Sequence, residues 1–99
     1  MAVPGKLVFE RGLRSLDCAI GDMSVRGARV RVSPGATSIP REIWLVHLKE
    51  WHAYQARVVW RRADGNLGLA FGRSFELKGA LNAELKTLRE HCAAYDERM

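Results

Sequence analysis

The chain is 99 residues long, 47% apolar, with a formal net charge of +5. That length suits one domain with its own core, and the apolar share excludes a disordered chain. There is no signal segment at the start and no apolar run long enough to span a bilayer, so the expected compartment is the cytoplasm. The positive charge favours an anionic partner: a nucleotide, a nucleic acid or an acidic protein surface.

In chain order, Met1–Gly5 shows no organised pattern, and Lys6–Glu10 reads as a first strand closed by a turn around Gly12. Leu16–Ile20 reads as a second strand, with Leu16, Cys18 and Ile20 on one face. Beyond residues 22–27 comes the clearest alternation. Ala28, Val30 and Val32 face one side and Arg29 and Arg31 the other, which predicts a half-buried strand with a basic outer face. Ser33–Pro40 holds two prolines and a glycine and reads as a loop. Ile43–Leu48 is a fourth strand, Lys49–His52 a turn, and Ala53–Arg62 a long fifth strand rich in aromatic and β-branched residues. Asp64-Gly65-Asn66 signals a hairpin returning into Leu67–Phe71, the sixth strand.

After Ser74, which suits a helix cap, the period changes. Leu81, Leu85, Leu88, Cys92, Tyr95 and Met99 recur at spacings of four and three, the seam of an amphipathic helix. No repeat, low-complexity segment or linker interrupts the chain. The expected architecture is all-β: a single domain over residues 1–99, with a six-stranded antiparallel β-barrel over 6–74 and one C-terminal α-helix over 75–99.

No catalytic constellation is legible, and the expectation is that the chain is not an enzyme. His47, His52 and His91 fall on different elements, and Cys18 and Cys92 fit no zinc or CxxC spacing, so no metal or cofactor is expected. Cys18 shares a strand face with Leu16 and Ile20 and reads as a small core residue, as does Cys92 on the helix seam. Arg29 with Arg31, and Arg57 with Arg61, each share a strand face. With Trp51, Tyr54 or Trp60 as stacking planes they suit a phosphate backbone, against the plainer reading of a solvated outer face with Trp60 in the core.

One stretch stands out, Asp22-Met23-Ser24-Val25-Arg26-Gly27. In extended backbone Asp22, Ser24 and Arg26 share a face, and Gly27 permits a turn or a close approach to a ligand. A carboxylate and a hydroxyl so placed suit a flat group with several N–H donors, such as the edge of guanine. The plainer alternative is a strand-connecting turn whose Asp and Ser satisfy backbone N–H groups.

In its frame this stretch resembles the PilZ domain, a family of bacterial receptors for the second messenger cyclic di-GMP. Asp22, Ser24 and Gly27 match the family motif D/N-x-S-x-x-G. Asp17-Cys18-Ala19-Ile20 leads in, Gly27-Ala28-Arg29-Val30 leads out, and Val58-Val59-Trp60-Arg61 and Leu67-Gly68-Leu69-Ala70-Phe71 follow, so the similarity runs from about Lys6 to Phe71. The resemblance implies a six-stranded antiparallel barrel, often followed by a helix, with Asp22 and Ser24 holding a guanine edge and Gly27 keeping the backbone close; Arg26, on the same face, is read as a nearby helper.

The family's second motif, RxxxR, precedes its first strand and supplies arginines that clamp phosphate and stack on guanine. Met1–Gly5 contains no basic residue, and Arg57-Val58-Val59-Trp60-Arg61 fits the pattern only inside a strand. Lys6, Arg11 and Arg14 are the stand-ins for phosphate contacts, although lysine lacks the planar bidentate fork of arginine. Losing two charged clamps, at about 1.5–3 kcal/mol each, turns a micromolar binder into a millimolar one. The chain is then either a shortened form of a longer product or a divergent member.

The leading expectation is a non-enzymatic receptor or adaptor module in cyclic di-GMP signalling, with nucleotide binding weakened by the missing arginines. The alternative is a nucleotide-independent barrel that meets a protein partner, or itself, through the helix seam. A basic oligonucleotide-binding barrel ranks third.

Overall fold

Alternation of apolar and polar side chains accounts for six strands in a computed structural model that describes residues 3–10, 14–33, 39–78, 83 and 85–90. They are β1 (Val3–Phe9), β2 (Arg14–Met23), β3 (Gly27–Arg31), β4 (Glu42–His47), β5 (His52–Arg61) and β6 (Asn66–Glu76). The strands close into a barrel in the order β1-β2-β3-β6-β5-β4, every neighbouring pair antiparallel. Closure leaves no open sheet edge around the ring.

Inward-facing residues fill the barrel: Leu7 and Phe9 from β1, Cys18 and Ile20 from β2, Val30 from β3, Ile43 and Leu45 from β4, Val58 from β5, and Leu67 and Leu69 from β6. Ile39, at the end of the segment read as a loop, turns back into this core. A second cluster lies outside the wall. Val8, Val46 and Ala53 are fully buried although their neighbours in sequence point inward, because Leu77, Leu85 and Leu88 cover them. Leu85 and Leu88 belong to the helix, at residues 85–90, so the helix is plastered on the side of the barrel.

The β5–β6 hairpin forms where Asp64-Gly65-Asn66 predicted it. Gly65 takes a φ of 93°, the left-handed conformation in which glycine has no Cβ to clash, and the Asp64 carboxylate accepts the Asn66 backbone N–H at 3.1 Å. These bonds to Asn66, from its side chain first and then its backbone, hold the Asp64 carboxyl below its ordinary range.

Three expectations need correction. β1 begins at Val3, so Pro4 and Gly5 are part of the barrel, paired with Ala19 and Cys18. Ser74 caps no helix: β6 continues through it to Glu76, with Ser74 opposite Tyr54. The barrel therefore spans Val3–Glu76 in place of 6–74, and residues 75–76 are strand. Leu81, Cys92, Tyr95 and Met99 of the helix seam, and Arg11, lie outside the described residues.

Candidate functional site

The position of Asp22 depends on Gly21. Along β2, Leu16, Cys18 and Ile20 set the inward parity, and by strict alternation Asp22 would follow them into the core. Between Ile20 and Asp22 the register slips. Ile20 pairs with Val30, but Asp22 pairs with Arg29, leaving Gly21 as the extra residue of a bulge. The slip turns Asp22 outward beside Arg29, whose Nη2 lies 3.0 Å from the Asp22 carboxylate oxygen Oδ2.

Ser24 lies in the turn beyond β2 and does not extend a shared strand face with Asp22. Its Oγ accepts the Arg26 backbone N–H at 3.2 Å, and its own backbone N–H donates to the Gly27 carbonyl at 2.9 Å. The hydroxyl oxygen thus serves the turn, as the plainer reading held, while its O–H remains a donor. Arg26 is exposed, and its carbonyl accepts the Phe71 N–H, which fastens the turn to β6. Gly27 acts within the barrel: a Cβ there would stand 2.0 Å from the Leu69 carbonyl oxygen, so glycine is what lets β3 lie against β6. A shallow concavity of about 270 Å³ is lined by Asp22, Met23, Ser24, Gly27, Ala28 and Arg29. It falls just below the usual range for drug-sized ligands, about 300–1,000 Å³, and suits one end of a larger molecule.

The stand-in cations do not gather here. Lys6 sits opposite Asp17 with its Nζ 3.5 Å from that carboxylate, and Asp17 is about 16 Å along β2 from Asp22. Arg14 opens β2 at its other end, about 26 Å from Asp22. Neither lies beside Asp22.

The groups that do gather are different ones. Arg29 pairs with Gly68 on its other side, and Gly68 pairs with Trp60, so Asp22, Arg29, Gly68 and Trp60 form one lateral row across β2, β3, β6 and β5. Trp60 is 39% exposed and is not a core residue, contrary to expectation. A second register slip, between Val58 and Trp60, carries it outward, where it lies over Gly68; a Cβ at Gly68 would meet its Nε1 at 2.1 Å. The Arg62 guanidinium stands 5.0 Å from the indole centroid. The other two aromatic candidates are engaged: Trp51 packs in the cluster beneath the helix, and Tyr54 stacks on Phe71 at 4.6 Å. Arg57, outward on β5, faces Ala70, so the outer face of β6 offers only Gly68 and Ala70 between flanking arginines. The sequence signal for this row was the small residue at every outward position of Leu67-Gly68-Leu69-Ala70.

Elsewhere the chemistry is quiet. Cys18 is buried, and burial first, then the Asp17 charge, pushes its thiol up to about 12, so it stays protonated and unreactive. His47 is buried with its Nδ1 accepting the Glu50 N–H at 3.2 Å. Among the described residues no cluster of His, Cys, Asp and Glu could hold a metal, and no helix is long and apolar enough to cross a membrane. A larger cavity of about 590 Å³ opens between the helix and the β1–β4–β5 wall, with Trp44, Glu10 and Glu42 among its lining. Compared with known proteins, the chain matches no family model, no curated protein and no solved structure.

Proposed function

We propose that this chain is a non-enzymatic PilZ-type receptor or adaptor module in bacterial cyclic di-GMP signalling, with weak nucleotide affinity. The observation that carries this reading is the outward Asp22 beside Arg29, within a motif that resembles the family's, on a closed six-stranded antiparallel barrel. An ionised carboxylate accepts two N–H bonds from one guanine. The indole of Trp60 offers a flat apolar surface in the same row, and stacking on such a surface contributes about 1–3 kcal/mol per base.

The test is calorimetric titration of the chain and of Asp22→Ala with cyclic di-GMP at moderate salt. Saturable heat from the native chain, lost in Asp22→Ala, is the expected result. An unchanged affinity in the variant refutes the site, and no heat from the native chain at millimolar ligand refutes the receptor reading.

The exposed Trp60 between Arg29, Arg57 and Arg62 favours one second reading, a basic barrel for single-stranded nucleic acid. That reading requires binding of a short single strand that falls steeply with salt. The protein-partner alternative rests on the distal half of the helix seam, Leu88 to Met99, of which Cys92, Tyr95 and Met99 lie outside the described residues and Leu88 is buried against the barrel.

A further inference from the structure

Resting on the receptor reading, we infer that Asp22 and Arg29 read the Watson–Crick edge of guanine as one unit, with Arg29 donating to O6. Guanine presents an acceptor, O6, beside two donors, N1–H and the N2 amino group. An ionised carboxylate is acceptor-only, so Asp22 satisfies both donors and repels O6. A guanidinium is donor-only and is the usual partner of guanine O6 and N7. With Nη2 3.0 Å from Oδ2, the Arg29–Asp22 pair offers a donor next to two acceptors, the complement of that edge. Adenine presents a donor and then an unprotonated N1, which would face the carboxylate oxygen unpaired.

Two features of the fold build the pair. The bulge at Gly21 sets Asp22 opposite Arg29, and the guanidinium lies close over Gly21. A Cβ there would lie 3.3 Å from Nη2 and 3.6 Å from Nε of Arg29. Both side chains remain open to solvent, 49% for Arg29 and 76% for Asp22, so a ligand reaches them without unfolding anything. Arg29 thus supplies, from β3, a guanine-directed arginine beside Asp22.

The experiment compares the native chain, Arg29→Ala and Arg29→Gln by calorimetry with cyclic di-GMP and with cyclic di-AMP. Arg29→Gln keeps an aliphatic stem over Gly21, and circular dichroism checks that both variants fold. The expected result is a loss of about tenfold to a hundredfold in cyclic di-GMP affinity, with little change for cyclic di-AMP, so that the preference for guanine narrows. An affinity for cyclic di-GMP unchanged in both variants overturns the inference and leaves the receptor reading standing on Asp22→Ala. A loss shared equally by the two nucleotides assigns Arg29 to phosphate and overturns it as well. No binding by the native chain overturns the receptor reading, and the inference with it.

Discussion

The barrel has two outer faces that use the same backbone geometry for opposite ends. Over β1, β4 and β5 the outward residues Val8, Val46 and Ala53 are apolar, and Leu77 together with Leu85 and Leu88 of the helix buries them. Over β2, β3, β6 and β5 the outward residues are Asp22, Arg29, Gly68, Ala70, Arg57 and Trp60; Gly68 is buried under the Trp60 indole, while Asp22, Arg29, Arg57 and Trp60 are exposed. Burying apolar surface stabilises by about 25 cal/mol per Å², so the first face behaves as a second core. The second face gains little from burial and carries charge, ring and glycine side by side. The comparison teaches that outward parity alone does not expose a residue; the polarity of the outward side chains separates the covered face from the open one.

The comparison can be broken from either side. The largest effect is expected at the seam beneath the open face: Gly27→Ala drives a Cβ into the Leu69 carbonyl and parts β3 from β6, costing about 3 kcal/mol or more in urea unfolding. On the covered face, Leu88→Ala removes a side chain that is 1% exposed and should cost about 2–4 kcal/mol by the same measurement, with dye binding reporting the bared Val8–Val46 surface. Gly68→Ala meets only the tip of a surface indole, which can swing aside. Its expected cost is below about 1 kcal/mol, but the Trp60 fluorescence should change. A stability loss as large as that of Gly27→Ala would mean the indole is locked into the wall.

The smallest effect is electrostatic and lies at the hairpin tip. The Asp64 carboxyl is held below its ordinary range by its bonds to Asn66. Being lower in the folded state, it contributes stability in full above the unfolded carboxylate range and loses it as pH falls through the folded value. Asp64→Ala should therefore flatten the acid limb of the stability profile, measured as the urea midpoint in neutral against acidic buffer, and leave the open face unaltered.

Much of the fold was legible because alternation is a local signal. The strand cores, the glycine hairpin, the buried Cys18 and the basic outer face of β3 all followed from period-two patterning and turn chemistry. The ends were not legible: Pro4 and Gly5 gain strand geometry only by pairing with Ala19 and Cys18, and Ser74 stays in β6 because Tyr54 lies opposite. The motif from Asp22 to Gly27 was visible as residue types, yet Lys6 and Arg14 looked like its neighbours only because they precede it in sequence.

What the sequence by itself determined is the set of apolar, charged and glycine positions, and hence a closed six-stranded barrel with a helix and a basic surface. What only the tertiary structure decided is which side chains share one patch. Two register slips, at Gly21 and near Val59, turn Asp22 and Trp60 outward and bring both into a row with Arg29 and Gly68. A bulge is a property of two paired strands, because it counts residues on one against residues on the other. Read alone, β2 and β5 each send the wrong face outward at that point; only the pairing with β3 and β6 sets the parity right.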